Sequence, residues 1–389
     1  MSTAKLKICV VTGSRAEYGL FHPLLLLLKK DPQVSLQIIV TGMHLSPEFG
    51  STWKQVVADG FTISRKVYML LSADTDAAIT KSTGIGIMGM ADAMEQLQPH
   101  WVLLLGDRYE TFAAAVAAHL AKIPIGHLHG GELTEGATDD AMRHAITKMA
   151  FLHFTSTESY RKRVIQLGEN PSRVFTTGAI GLDNARQLSL LSKQQLSKDL
   201  KFTIDDNTLL VTYHPVTLEK DSAEHQMKQL LKALDAFPGY RILFTLPNAD
   251  ANGRIIIALI NDYVDRHPAT SRAFASLGQL RYLSALQFVK AVVGNSSSGI
   301  IEVPHFKIPT VNIGDRQKGR IKAASIVDTE TNARAIINGM KKAFSPAFAA
   351  VCKNAVNPYG KGNTAAAVIK IIKKNSVPLS LKKAFYDLP

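Results

Sequence analysis

The sequence predicts an α/β protein of two wound domains, each built on a mainly parallel sheet, and three observations carry this. Short apolar runs alternate with longer amphipathic stretches, the pattern of strands joined by crossover helices. The alternation breaks once, at a polar Lys/Gln/Ser-rich stretch between Asp183 and Asn207, and then resumes. The 389 residues also exceed what a single hydrophobic core usually holds.

In the first half the apolar runs place strands at Leu6–Thr12, Leu36–Thr41, Trp101–Leu105, Ile123–Leu128 and Leu152–Thr155. Helices are expected at Tyr18–Lys30, Ala77–Leu97, Tyr109–Ala121 and Ala141–Ala150. Asp139 and Asp140 precede the last of these, where free N–H groups and the helix dipole favour negative charge. The second half gives strands near Leu209–Tyr213, Arg241–Leu246, Ala291–Gly294 and Pro309–Ile313, then a helix at Thr364–Lys374. The expected division is a first domain over 1–185, a partly helical linker over 186–206, a second domain over 207–365 and a terminal helical segment over 366–389.

Composition narrows the function. Cys9 and Cys352 are the two cysteines, too few for a disulfide framework or a zinc cluster, which fits a reducing, cytoplasmic compartment. The leucine run Leu24–Leu28 is too short to span a bilayer, so no membrane role is expected. The net charge of +13 would suit a nucleic acid, yet no stretch interleaves basic and aromatic residues. Several lysines instead fall in the C-terminal segment at spacings of a solvated helix face, and no nucleic-acid partner is expected.

The chemistry collects where strands end. CVVTGSRAEYG, IIVTGMH, VLLLGDRYE, PIGHLHGGE, LLVTYHP, LFTLPNAD, VVGNSSSG and VNIGDRQKGR each pass from an apolar run to glycine or proline and polar groups. Ligands of open α/β sheets bind beyond the carboxyl ends of the strands, so these turns point to one cleft between the domains. Gly13-Ser14-Arg15 and Gly294–Gly299 precede expected helices and suit an anion held by backbone N–H groups and hydroxyls. Arg15, Arg108 and Arg316 add fork-shaped charges for phosphate oxygens. Gly84-Ile85-Gly86-Ile87-Met88-Gly89 matches a dinucleotide fingerprint, but it lies inside a helical stretch and follows no strand. It is read as close helix packing.

Proton-transfer groups crowd residues 107–140. Asp107 ends one strand, Glu132 follows the next, and Asp139 opens a helix, while His214 comes from the second half. His127 and His129, two apart on an expected strand, would share a face. Such a set suits either a zinc site or a metal-free acid–base site. His127, deeper in the strand, is the better structural residue.

The ordered blocks GSRAEYG, GDRYE, HLHGGE, DDAMRHAITK, YHP, PNAD, GNSSSGIIE and GDRQKGR, with the closing FYDLP, resemble the hydrolysing UDP-N-acetylglucosamine 2-epimerases of sialic acid biosynthesis. The resemblance runs from about residue 6 to about residue 386, and is nearest to the bacterial type that supplies sialic acid capsules and surface glycans. It implies two Rossmann-like domains in a GT-B-like arrangement, with the ligand cleft between them and the final helix crossing back to the first domain. Arg15 and Arg108 would then meet the nucleotide or its phosphates, and Asn248 the sugar side. Ser296 and Ser297 would hold the pyrophosphate, Glu302 the ribose and Arg316 the UDP end. Asp107, Asp139 and His214 match the family's catalytic positions.

In one respect the chain departs from the pattern. Some relatives carry glutamate where His129 stands, which leaves the acid–base group there open between His129 and Glu132. The non-hydrolysing bacterial 2-epimerases carry an A-G-L-R block where this chain reads Gly130-Gly131-Glu132-Leu133, which favours the hydrolysing branch. The implied reaction eliminates UDP from UDP-N-acetylglucosamine to a 2-acetamidoglucal, then adds water to give N-acetylmannosamine. It needs no cofactor and no metal, and the family form is a homodimer or tetramer. Two other readings compete: the same chemistry on UDP-N,N'-diacetylbacillosamine for legionaminic acid, and, from another class, a GT-B glycosyltransferase.

Overall fold

The computed structural model describes residues 5–71, 73, 75–135, 138–216, 222–247, 252–375 and 380–388. The chain divides into two compact units. The first holds the chain through Glu132, Asp139–Arg186 and everything from Tyr359 on; the second holds Leu133–Thr138 and Gln187–Pro358.

The first unit carries β1 (Leu6–Thr12), β2 (Val34–Thr41), β3 (Arg65–Val67), β4 (Trp101–Leu105), β5 (Ile125–Leu128), β6 (Leu152–Thr155) and β7 (Val174–Thr176). They form one parallel sheet in the order β3-β2-β1-β4-β5-β6-β7. The winding reverses between β1 and β4, the switch point beside which ligands of such sheets bind. Alternate residues of β1 serve opposite faces, as a pleated strand requires. Ile8 and Val10 join one core with Phe21, Leu24, Leu25 and Leu103. Cys9 and Val11 join another with Met90, Ala114 and Ile146. Each fully buried aliphatic side chain of this kind contributes about 1.5–3 kcal/mol.

The second unit repeats the plan with β8 (Thr208–Thr212), β9 (Arg241–Thr245), β10 (Ser271–Phe274), β11 (Ala291–Gly294), β12 (Thr310–Ile313) and β13 (Ile326–Thr329). The order is β10-β9-β8-β11-β12-β13, again parallel throughout. Both domains are therefore Rossmann-like.

Two boundaries differ from the sequence expectation. The stretch expected as a linker contains a helix, Lys193–Leu200, opened by a capping box at Ser192 and Gln195 and burying Leu196 and Leu200. Arg281 grips Asp199 through two bonds of 2.6 and 2.9 Å, and Leu191 N–H donates to Ser284 Oγ at 2.9 Å. The helix matches the partly helical character expected of this stretch, but only two of its side chains face inward, so the polar composition gave no sign that it docks. The return to the first unit comes at Tyr359, ahead of the expected 365. Helix Thr364–Asn375 starts on the buried carboxylate of Asp183, whose Oδ1 accepts from Asn363 and Thr364 N–H at 2.7 and 2.9 Å. Its Oδ2 accepts from Ala365 N–H at 2.8 Å, so one distant side chain satisfies the donors that open this helix. The helix then packs Val368 and Ile372 into the core shared with Leu24 and Leu28.

The glycine triplet at 84–89 lies within helix Asp76–Leu97. A Cβ on Gly86 would meet Met69 Cε at 2.6 Å and one on Gly89 would meet Val67 Cγ1 at 2.8 Å, whereas Gly84 faces open space. Packing thus explains two of the three. Cys9 and Cys352 are free and buried, and burial pushes the Cys9 thiol up to about 12. No helix among the described residues is long and apolar enough to cross a membrane.

Candidate functional site

In the first unit the turn after β1 is shaped by glutamates. Ser14 caps helix Arg15–Lys30 by accepting from Glu17 N–H, and Glu17 Oε2 accepts from Gly13 N–H at 2.6 Å. Arg15 begins that helix, half-buried. Arg108, at the end of β4, donates from Nε and a terminal nitrogen to Glu110 at 3.1 and 3.3 Å. Glu110 is buried under both turns: a Cβ on Gly13 or Gly42 would come within 3.1 or 2.8 Å of its side chain. Burial, with the charge of Glu110 adding to it, pushes the Glu17 carboxyl up to about 8. Neither glutamate was singled out in the sequence, although both lie inside the quoted blocks GSRAEYG and GDRYE.

Asp107 sits one residue before Arg108 and pairs with the guanidinium of Arg143. Arg143 also reaches Asp140 at 3.5 Å from helix Asp139–Met149. The arginine is buried while Asp107 keeps about a fifth of its side chain exposed, so the pair presents a carboxylate on a buried cationic support. Asp139 opens the same helix. Arg143 is a site residue that the sequence reasoning passed over; its signal was its place in DDAMRHAITK, one turn beyond Asp139.

The two histidines of HLHGGE do not share a face. β5 ends at Leu128, and His129 takes a left-handed φ of 66°, which breaks the alternation that the expectation assumed. His127 is a structural residue. Its Nε2 meets the Gly106 carbonyl at 2.8 Å and its Nδ1 meets Thr147 Oγ1 at 3.2 Å, and burial depresses it to about 3. His129 accepts from Ile180 N–H at Nε2, 3.3 Å away, so its proton sits on Nδ1 and is donated to Glu132 Oε1 at 2.7 Å. Ser156 Oγ donates to the same carboxylate oxygen at 2.7 Å. Both partners of this dyad are buried.

In the second unit one asparagine organises the strand ends. Gly294 has φ 138°, and a Cβ there would lie 1.9 Å from Thr212 O, so only glycine lets β11 end beside β8. The buried Asn295 then accepts from His214 N–H at 2.7 Å and donates to His214 O at 2.8 Å. Its own carbonyl accepts from Gln317 Nε2 at 2.8 Å and from Arg316 at 3.3 Å. Ser296 caps the short helix Ser297–Ile301, which ends at the buried Glu302. Tyr282 Oη meets Ser298 Oγ at 2.6 Å and steadies that turn.

Each unit therefore gathers its share of the expected residues at adjacent strand ends. Arg15, Asp107, Arg108, His129, Glu132 and Asp139 belong to the first unit, and His214, Ser296, Ser297, Glu302 and Arg316 to the second. Asn248 lies outside the described residues. Among the described residues no three His, Cys, Asp or Glu side chains converge as metal ligands.

The UDP-N-acetylglucosamine 2-epimerase family model matches residues 27–373. The chain is 44% identical to a GDP/UDP-N,N'-diacetylbacillosamine 2-epimerase (hydrolyzing) of Campylobacter jejuni, over 85% of each. It is 38% identical to polysialic acid biosynthesis protein P7 of Escherichia coli, over 98% of each, and 35% identical to a UDP-N,N'-diacetylbacillosamine 2-epimerase (hydrolyzing) of Legionella pneumophila, over 96% of each. The UDP-GlcNAc-bound 2-epimerase of Neisseria meningitidis superposes with TM-score 0.80 at 19% identity, over 95% of this chain and all of that one. That likeness shows the GT-B-like fold, and the match of sequence across most of the chain shows the lineage: this chain belongs to the hydrolysing UDP-N-acetylglucosamine 2-epimerase family.

Proposed function

We propose that the protein hydrolyses and epimerises UDP-N,N'-diacetylbacillosamine, releasing UDP and the 2-epimeric 2,4-diacetamido sugar. The observation that carries the sugar is the 44% identity to a relative named for diacetylbacillosamine on GDP or UDP, and the UDP form is the one named for a second relative at 35%. In the first step a base takes the C2 proton, the C1–O bond breaks, and UDP leaves with the electron pair to give a 2-acetamidoglycal. In the second, water adds at C1 and a proton returns to C2 on the opposite face.

The residues suit this division of labour. Asp107, supported by Arg143, and Asp139 are the carboxylates left partly open at the strand ends, and they are assigned to proton transfer at C2. His129 is assigned to the hydration step through Nε2, whose 3.3 Å bond to Ile180 is long and weak, with Glu132 holding the ring in one tautomer. Arg15, Arg108, Ser296, Ser297 and Arg316 are assigned to the diphosphate as its charge develops, Glu302 to the ribose and His214 to proton transfer. Asn248 is assigned to the sugar on its motif alone.

A second reading, conversion of UDP-N-acetylglucosamine to N-acetylmannosamine, draws on the P7 relative, which is named for polysialic acid biosynthesis and is 38% identical over 98% of each chain. The two substrates differ at C4 and C6, so one experiment separates them. Each UDP-sugar is incubated with the enzyme in D2O and the products are followed by NMR. The proposal expects UDP and a C2-deuterated free sugar from both, with kcat/KM at least tenfold higher for the diacetylbacillosamine compound. A preference for UDP-N-acetylglucosamine reverses the substrate assignment. UDP release that requires an added acceptor overturns the reaction itself.

A further inference from the structure

The chain's last described segment, 380–388, is fastened to the first unit at a point remote from its candidate site residues. Lys383 Nζ donates to the carbonyls of Lys148 and Ala150, both at 2.7 Å, and to both oxygens of Glu169 at 3.0 and 2.9 Å. Glu169 is buried and is also held by Lys148 Nζ at 2.7 Å and His153 Nε2 at 3.0 Å. Tyr386 N–H donates to Gly168 O at 2.9 Å. Phe385 lies so close over Gly168 that a Cβ there would come within 2.3 Å of its ring, and Lys148 Nζ sits 5.1 Å from the ring centroid.

These contacts fall at one end of helix Asp139–Met149. Its last carbonyls have no partner within the helix, and a cation there opposes the negative end of the helix dipole. Lys383 supplies both, from a position more than two hundred residues later in the chain. The same helix opens on Asp139 and Asp140, and its middle carries the Arg143 that supports Asp107. Eleven helical residues span about 16 Å, so one continuous hydrogen-bonded helix joins the clamped turn to the turn that opens on Asp139.

We propose that Lys383 is a positioning residue for catalysis: by clamping the C-terminal turn of helix Asp139–Met149 to Glu169, it fixes the register in which Asp139 and the Arg143–Asp107 pair meet the substrate. The inference rests on the assignment of proton transfer to Asp107 and Asp139. It makes the C-terminal segment part of the working enzyme although it touches none of the residues assigned to substrate.

The test is the full-length Lys383→Met variant, which keeps the length of the side chain and removes its charge and donors, compared with Asp107→Asn. The clamp predicts a kcat at least tenfold below the parent with KM within twofold, and faster amide hydrogen exchange confined to residues 139–149. If Lys383→Met folds poorly, Phe385→Ala loosens the same segment from Gly168 and carries the same expectation. Parental kcat in both tail variants, with turnover lost in Asp107→Asn, overturns the clamp while sparing the reaction assignment. Parental turnover in Asp107→Asn overturns the assignment, and the clamp with it.

Discussion

His129 donates its Nδ1 proton to Glu132 across 2.7 Å, and the same carboxylate oxygen is held by Ser156. A histidine whose tautomer is fixed by a buried carboxylate keeps its other nitrogen unprotonated, here an acceptor that meets Ile180 N–H at 3.3 Å, so the two residues act as one unit. His129→Gln and Glu132→Gln are each expected to lower kcat by tenfold or more. The double variant should lose little beyond the worse single, since groups that act together are not additive. Steady-state kinetics on the four proteins measure this coupling, and losses that multiply would show two independent roles.

Asp107 should separate binding from chemistry. Asp107→Asn preserves shape and leaves Arg15, Arg108 and Arg316 in place. Turnover is expected to fall at least a hundredfold, the order general-base removal brings, while UDP affinity changes by less than a few fold. Calorimetry with UDP and a turnover assay on the same preparation check both halves.

Asn295 should do the opposite. Its side chain closes two hydrogen bonds on the backbone of His214, and its carbonyl receives Arg316 and Gln317. Asn295→Ala leaves a buried N–H and a buried carbonyl unsatisfied, a loss of about 2–4 kcal/mol. A clear drop in Tm and weaker UDP binding are expected together. Asn295→Asp keeps the acceptor for His214 N–H but sets a carboxylate oxygen against His214 O, and it should not rescue either property.

Glu17 gives stability a pH dependence of known sign. Its carboxyl is raised from 4.5 to about 8 in the folded chain, so folding takes up a proton between those values. Stability is unaffected below about 4.5, declines as pH climbs toward 8 by up to about 1.4 kcal/mol per pH unit, and levels off above. Glu17→Gln removes this slope. Denaturant melts of parent and variant from pH 5 to pH 9 should therefore diverge steadily, with the variant gaining relative stability at the alkaline end.

The interior of both sheets was legible in the sequence. β1, β4, β6 and β11 fall at the residues expected of them, and β2, β5, β8, β9 and β12 within two residues. Strands covered by helices on both faces must be apolar on both, and an apolar run is visible without knowing its neighbours. The strands that escaped notice are β3, β7, β10 and β13, the outermost members of their sheets. An edge strand such as Arg65–Val67 is short and has one wet side, so it leaves no apolar run to read.

The strand-end motifs drew attention to Arg15, Asp107, Arg108, Ser296 and Arg316, because glycine and polar residues stand out after an apolar strand, whereas the partners of Arg108 and Asp107, Glu110 and Arg143, do not. The sequence by itself determined the wound α/β plan, the family and the polar turns at the strand ends, since all of these are written in local pattern and order. Only tertiary structure decided the partners. The pairing of Arg143 with Asp107, the proton on His129 Nδ1, the weakened acidity of Glu17 and the grip of Lys383 on a helix far earlier in the chain each depend on groups brought together by folding. Burial and distance set charge and tautomer, and neither is a property of a residue's neighbours in sequence.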